Sequence, residues 1–237
     1  MLLQIWFVFI ILGVGMFLSV RARKLTETGA LTGGGLGLAI FLGAGFTGLA
    51  MLGLFFIIGS GATGWQQKHK ANLGLAEENQ GRRTAGQALA NAGVAGLLGL
   101  LSWLFPSQAQ PLQIMLAAAF ASATADTVSS ELGNVYGKRF YNIITMQPDI
   151  RGLNGVVSLE GTLLGLAGST IIGIIYSLGF GLNGNILIII IAGTIGNLTD
   201  SVLGATLERR NQLSNNAVNF LNTAMAALVA GILYIII

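Results

Sequence analysis

Residues 29–61 read GALTGGGLGLAIFLGAGFTGLAMLGLFFIIGSG, a stretch of about 33 residues without a charged side chain. A helix that crosses the hydrocarbon core of a membrane needs about 20 apolar residues. The stretch is therefore long enough for one tilted helix, or for two short helices broken near 43–48, where the sequence is GAGFTG. The choice between these two forms decides the topology of the chain.

Six further stretches have the length and composition of membrane-spanning helices. They are Leu2–Val20, Ala85–Phe105, Leu112–Leu132, Val156–Leu178, Asn185–Leu207 and Ala217–Ile237. Only 9% of the 237 residues are charged, against about 25% in a typical soluble domain. This composition excludes a soluble enzyme and a disordered chain. With 35 glycines for close helix packing, it predicts an all-α, polytopic transmembrane helix bundle that forms a single domain over residues 1–237.

The basic residues decide how often the glycine-rich stretch crosses the membrane. All 12 Lys and Arg lie in four loops, at 21–24, 68–83, 138–151 and 209–210. Two crossings place all four loops on one side, whereas one crossing separates the first loop from the others. Because basic loops stay in the cytoplasm, we predict about eight membrane segments, two of them short. Both termini then lie outside a prokaryotic cytoplasmic membrane, with cytoplasmic loops near 62–84, 133–154 and 208–216.

Acidic residues within the predicted segments are candidates for function. An ionised group inside a membrane costs about 2.5–3.5 kcal/mol on insertion scales and usually marks a functional site. Asp126 and Asp200 lie six or seven residues from the inner ends of their segments, about 9 Å deep for Asp126. Glu131 and Glu160 enter from the same side. Cations must compensate these anions, and either basic loop residues or Mg²⁺ suits that role. We interpret the four acids as catalytic residues and metal ligands, with Asp126 and Asp200 foremost.

Polar residues at helical spacing surround the acids in the sequence. Arg83, Gln87 and Asn91 form one stripe, and Asn215, Asn219 and Asn222 form another. Gly193, Asn197, Asp200, Gly204 and Glu208 share a third face. For Glu208, an ion pair with a basic residue is as good an interpretation as a role in a functional site. Arginine forks and amides bind phosphate groups. The predicted phosphate- and nucleotide-binding residues are Arg82, Arg83, Gln87, Asn91, Lys138, Arg151, Asn154, Ser158, Asn197, Asn216 and Asn219. Since the chain has no cysteine and one histidine, these acids and amides favour phosphoryl transfer to a lipid-soluble acceptor.

Four blocks of this sequence resemble a known family. They are 81–95 (GRRTAGQALANAGVA), 123–133 (ATADTVSSELG), 152–162 (GLNGVVSLEGT) and 196–208 (GNLTDSVLGATLE). The sequence is similar, over nearly its whole length, to the phytyl-phosphate kinase family of vitamin E biosynthesis. The resemblance implies a membrane kinase that converts an isoprenoid monophosphate to its diphosphate, with CTP as phosphoryl donor and Mg²⁺ as cofactor. It also places Asp126, Glu131, Glu160 and Asp200 at the family's motif positions.

Two other functions fit parts of the sequence. A transporter or flippase for prenyl phosphate, or for another small anionic lipid, suits the short segments and the many glycines. A CDP-alcohol phosphotransferase ranks low because its D-x-x-D-G signature is absent. The expected partners are the isoprenoid monophosphate, a nucleoside triphosphate and the bilayer, and not nucleic acid. The prenyl chain, the nucleotide base and the oligomeric state stay open.

Overall fold

The computed structural model describes residues 2–75 and 81–237. Its helices are α1 (Leu2–Arg21), α2 (Glu27–Gly64), α3 (Gln67–Asn72), α4 (Ala85–Leu104), α5 (Ala109–Tyr136), α6 (Leu159–Phe180), α7 (Asn185–Leu203) and α8 (Asn215–Ile236). A 3-10 turn, Pro106–Gln108, precedes α5, and a π-helix, Gly204–Glu208, continues α7. Two short strands, β1 (Tyr141–Asn142) and β2 (Val156–Val157), pair antiparallel. The predicted all-α class is confirmed, and α2 and α4 to α8 are long and apolar enough to cross a membrane.

Helix α2 reverses direction at Gly45. This glycine has φ 59° and ψ −150°, a conformation that costs glycine little. A straight helix of 38 residues is about 57 Å long. Instead, a Cβ added to Gly29 would lie 2.6 Å from the Arg83 carbonyl oxygen, and one added to Gly59 would lie 2.4 Å from the Arg83 guanidinium. Both ends of α2 therefore meet at Arg83, and its halves, 27–44 and 46–64, form the two predicted short segments.

The Gly43 carbonyl lies next to the reversal, where the regular helix is interrupted at Gly45. The Ser102 hydroxyl donates to this oxygen at 3.0 Å and the Gln113 amide donates at 2.7 Å. The backbones of α2 and α4 touch at the same point, since a Cβ on Gly43 would lie 2.0 Å from the Gly99 carbonyl oxygen. Glycine thus permits the close packing that the composition predicted, and neighbouring helices satisfy the broken turn.

Helix α5 is the centre of the bundle. Its middle is buried, with Leu116, Phe120 and the alanines between them fully inaccessible. It packs against α2, α4, α6, α7 and α8. Gly161, Gly165 and Gly168 bring α6 against the α5 backbone; a Cβ on Gly161 would lie 2.9 Å from the Ser129 carbonyl oxygen. This packing fixes the positions of the polar residues on the inner halves of α5 and α7.

The predicted basic loops meet at one end of the bundle. Backbone hydrogen bonds join Lys24 to Arg83, Lys70 pairs with Glu131, and the Lys138 amide contacts Glu160. This arrangement agrees with the predicted eight segments, whereas the side of the membrane stays a prediction.

The predicted loop bounds are wrong in detail. Helix α5 continues to Tyr136, so its loop begins at 137 rather than 133, and it extends to Ser158, the N-cap of α6. The loop predicted at 62–84 contains α3, and its residues 76–80 lie outside the described residues. The last loop is only 209–214, because the π-helix extends to 208 and α8 begins at 215.

Candidate functional site

A cavity of about 650 Å³ lies at the end of the bundle that carries the basic loops. Its size is typical of a small-molecule site. Helices α4 to α8, the end of α2 and the loop 137–158 surround it. Ten of the predicted residues line it, and they are Arg83, Gln87, Asn91, Asp126, Glu131, Asn154, Ser158, Asn197, Asp200 and Asn219.

Two of the predicted acids meet in this cavity. Asp126 on α5 and Asp200 on α7 both line it, with their side chains close enough to interact. The amide of Asn222, on α8, donates to Asp200 Oδ1 at 2.8 Å. Two carboxylates in contact repel each other unless a proton or a cation lies between them. The pair thus forms an acceptor-rich point suited to a cation, deep among three helices.

Arg83 supplies positive charge to the same cavity. It precedes the N-cap of α4, Thr84, whose side chain forms a capping box with Gln87. The Arg83 amide donates to Lys24 O at 2.9 Å, and its carbonyl accepts from the Thr26 amide at 3.0 Å. Its guanidinium lies over the Phe55 ring, 4.9 Å from the centroid. These contacts fix a cation at the cavity wall, and a guanidinium can bind phosphate oxygens in pairs.

Amides and hydroxyls complete the polar wall between α5 and α7. Ser129 donates to Asn197 Oδ1 at 3.1 Å and to the Asp126 carbonyl at 3.0 Å. On α4, the Asn91 amide donates to the Gln87 carbonyl at 2.9 Å. These bonds orient side chains whose remaining donors and acceptors can meet a ligand in the cavity.

Glu131, predicted to ligate a metal together with the other acids, is paired with a lysine in the structure. Glu131 forms an ion pair with Lys70, and these residues are only 7% and 1% exposed. The Lys70 ammonium also donates to the carbonyls of Ala62 and Thr63, at 3.1 and 2.8 Å, at the end of α2. Glu131 therefore neutralises a buried lysine that fastens α2 and α3 to α5.

The predicted cluster of four acids does not form. Within residues 2–75 and 81–237, no three acidic or histidine side chains lie close enough to share a metal ion. Glu160 falls in the first turn of α6, because Ser158 caps the helix by accepting from the Gly161 amide at 3.1 Å. There its carboxylate accepts a hydrogen bond from the Lys138 backbone amide at 3.4 Å, outside the cavity lining. The helix dipole of α6 stabilises a negative charge at this position.

Four predicted phosphate-binding residues do not line the cavity. Arg151 stacks over the Phe140 ring, 5.5 Å from its centroid. Lys138 is exposed, and Asn216 is turned toward α4, where a Cβ on Gly86 would lie 2.9 Å from its amide nitrogen. Arg82 precedes the inward-facing Arg83 by one residue. Helical spacing does not fix the directions of these loop and helix-start side chains.

The loop 137–158 contributes more of the cavity wall than the predicted Asn154 and Ser158. Residues Phe140 and 152–157 line the cavity, and Arg209 fastens the loop by a 2.8 Å ion pair with Asp149. The Ile150 amide and the Arg209 guanidinium hold the pKa of Asp149 below its ordinary value. A loop without a repeating pattern gives no sequence signal for such a position, although its cluster of glycines and asparagines was a hint.

Glu208 also lines the cavity, with Asn215 nearby. The sequence placed Glu208 on the Asp200 face by α-helical spacing, but the last turn is a π-helix. The wider turn still leaves the carboxylate on the cavity side. A π-helix is rare and often occurs at functional sites.

The residues present fit a magnesium ion. Mg²⁺ takes one or two carboxylates from the protein and fills its other positions with water and substrate phosphates. Asp126 and Asp200 supply two neighbouring carboxylates, and Arg83 and the amides line other parts of the cavity.

The model of the family described as "Integral membrane protein DUF92" matches residues 10–227. The chain is 35% identical to an uncharacterised membrane protein of Synechocystis, over 82% of this chain and 77% of that protein. It is 30% identical to the chloroplastic protein VTE6 of Arabidopsis thaliana, over 91% of this chain and 68% of that protein. It is 29% identical to an uncharacterised membrane protein of Methanocaldococcus jannaschii, over 90% and 87% of the two chains. No solved structure gives a significant match.

Proposed function

The chain belongs to the DUF92 family of integral membrane proteins, and on that premise we propose that it is a kinase for an isoprenoid monophosphate. It transfers a phosphoryl group from a nucleoside triphosphate, preferably CTP, and releases the isoprenoid diphosphate. The observation that carries the proposal is the contact between Asp126 and Asp200 in a polar cavity that Arg83 also lines. The resemblance of four sequence blocks to the phytyl-phosphate kinase family supports the same reaction.

Phosphoryl transfer asks mainly for positioning and charge neutralisation. When bound, Mg²⁺ supplies charge neutralisation at the phosphates, and Asp126 and Asp200 would hold it. Arg83 binds phosphate oxygens through its guanidinium. Gln87 uses its side-chain oxygen for the Thr84 amide, at 2.9 Å, so its NH₂ group is the part that donates to a ligand. The loop 137–158 lines one side of the cavity and would limit the access of water there.

The reaction needs no strong base in the protein. One oxygen of the acceptor monophosphate attacks the γ-phosphorus of CTP, and the bond from that phosphorus to the β,γ-bridging oxygen breaks. The products are the prenyl diphosphate and CDP. A phosphate monoester is largely dianionic at pH 7, because its second pKa is about 6. This chemistry agrees with a site of acids, arginine and amides without histidine.

We assign the site to the cytoplasmic side of the membrane. The cavity lies at the end where the four basic loops meet, and basic loops remain cytoplasmic. The substrate phosphate then enters from the inner leaflet, while its apolar chain stays among lipid and the glycine-rich helices. Both termini lie on the opposite side in this arrangement.

The proposal is tested with purified protein in nanodiscs. Radiolabelled CTP or ATP and a panel of C15 to C20 prenyl monophosphates should give labelled diphosphate. Asp126→Asn and Asp200→Asn should each lower kcat by at least about 100-fold, by analogy with other groups that stabilise transition-state charge. Glu27→Gln, an exposed acid in the first turn of α2, is the matched control. Full activity in both aspartate variants refutes the assignment, and prenyl-phosphate movement across liposomes without nucleotide turnover supports the flippase alternative.

A further inference from the structure

Asn222 is a fully buried polar residue beneath the acid pair. It lies on α8 with 0% exposure, and its amide nitrogen donates to Asp200 Oδ1 at 2.8 Å. On its other side, the Ser122 hydroxyl of α5 donates to Asn222 Oδ1 at 3.1 Å, and Ser122 is also 0% exposed. A buried amide is costly unless it is hydrogen-bonded, and here both ends of the amide have partners.

The two partners fix the orientation of the amide. A carboxylate only accepts hydrogen bonds, so the NH₂ group must face Asp200. The Ser122 hydroxyl then donates to the carbonyl end of the side-chain amide. Three helices, α5, α7 and α8, thereby determine the direction of one carboxylate.

A glycine on α7 makes room for this arrangement. Gly196 lies one turn before Asp200. A Cβ on Gly196 would lie 2.3 Å from Ser122 Oγ and 2.8 Å from the backbone carbonyl oxygen of Asn222. Any larger residue at 196 would displace α8 or the serine. The backbone approach and the two hydrogen bonds therefore depend on one another.

We propose that Asn222 is a positioning residue that holds the Asp200 carboxylate toward Asp126, in the orientation that a divalent cation and a substrate phosphate require. The inference rests on the proposed function, because it takes Asp200 as a ligand of that cation. Partners that orient a metal ligand typically change metal affinity by about 10-fold to 100-fold when removed. A residue that only packs helices together has no such effect on the metal.

Mn²⁺ is the probe for the test, and its binding to the protein in nanodiscs is measured by electron paramagnetic resonance. We expect Asn222→Leu to weaken Mn²⁺ binding by about 10-fold or more. In an Asp200→Asn background the same change should have little further effect, since Asn222 acts through Asp200. Thr223→Val is the matched control: Thr223 is its neighbour, also 0% exposed, but it donates only to the Phe220 carbonyl, at 2.9 Å.

A second variant guards against a folding defect in Asn222→Leu. Gly196→Ala retains the Asn222 amide but shifts its position, because the added methyl group displaces α8 or Ser122. This variant should weaken Mn²⁺ binding in the same direction. Wild-type Mn²⁺ affinity in folded Asn222→Leu, or a full additive loss in the Asp200→Asn background, overturns the inference.

Activity measured on the same preparations separates the two proposals. If wild type and the variants show the expected Mn²⁺ affinities but wild type forms no prenyl diphosphate, the kinase proposal is refuted and the positioning role is supported. Kinase activity with unchanged Mn²⁺ affinity in Asn222→Leu refutes only the positioning role. A wild-type protein that binds no Mn²⁺ refutes the positioning role, and diphosphate formation alone then decides on the kinase.

Discussion

The buried pair of Lys70 and Glu131 gives a prediction with a magnitude. Lys70→Met leaves the Glu131 carboxylate buried without a counter-charge, and it removes the donor from two carbonyls at the end of α2. Breaking a buried ion pair from one side costs about 3–5 kcal/mol. We expect this loss in the free energy of unfolding for Lys70→Met and a similar loss for Glu131→Gln.

The double variant distinguishes a pair from two independent contributions. With both charges removed, no unpaired ion remains, and we expect Lys70→Met with Glu131→Gln to cost about 1–3 kcal/mol, less than either single change. The assay is titration with sodium dodecyl sulfate in mixed micelles, followed by tryptophan fluorescence. Trp65 reports on this region, because its indole donates to the Tyr136 hydroxyl at 2.8 Å.

Lys68→Met is the matched control. Lys68 lies on the same short helix but is exposed, so its replacement should change stability by less than about 0.5 kcal/mol. The reasoning is refuted if Lys70→Met is as stable as Lys68→Met, or if the double variant loses the sum of the single losses.

Three further predictions concern glycines and the loop over the cavity. Gly43→Ala places a methyl group 2.0 Å from a backbone oxygen and should lower the free energy of unfolding by about 1–3 kcal/mol in the same titration. In the control Gly53→Ala, the methyl group meets nothing within 4 Å and should not destabilise the protein. Equal effects of the two changes would contradict the close packing at Gly43. Because the pKa of Asp149 is lowered, its bonds protect the loop fully above the unfolded pKa of about 3.9 and are lost as the pH falls through the lower pKa of the folded protein. The Ile150 amide should thus exchange more slowly in wild type than in Asp149→Asn at pH 7, and this difference should disappear once Asp149 is protonated in acid; a difference that survives there would count against the bond. Gly155→Ala, at φ 74° and 2.3 Å from a backbone nitrogen of the π-helix, should loosen residues 152–157 in amide exchange and raise the KM for nucleotide, and an unchanged KM would exclude this loop from binding.

Hydropathy and charge placement were sufficient for most of the fold. The apolar stretches gave the helices to within a few residues, and the positive-inside rule selected two crossings for 29–61, with a break that the structure places at Gly45. The acid pair followed from the depth of Asp126 and Asp200 along two separate helices. These features repeat with helical period or depend on composition, so a single sequence contains them.

Features that depend on contacts between distant loops were not predictable. Lys70 lies 61 residues before Glu131, in a loop where it was indistinguishable from Lys68. Glu160 shares a motif block with Ser158, but the cap that Ser158 forms turns the glutamate away from the cavity. The direction of a side chain at the start of a helix depends on one or two backbone angles, and the spacing of residues in the sequence does not specify these angles.

The broken turn at Gly43 sets an order for assembly during synthesis. Its carbonyl receives hydrogen bonds from Ser102 and Gln113, and Gln113 lies 70 residues later in the chain. At about 5–20 residues per second, a ribosome needs roughly 4–14 s to make that interval. The hydrogen bonds that α4 and α5 donate to the tip of this helical hairpin therefore form only after those helices have been synthesised.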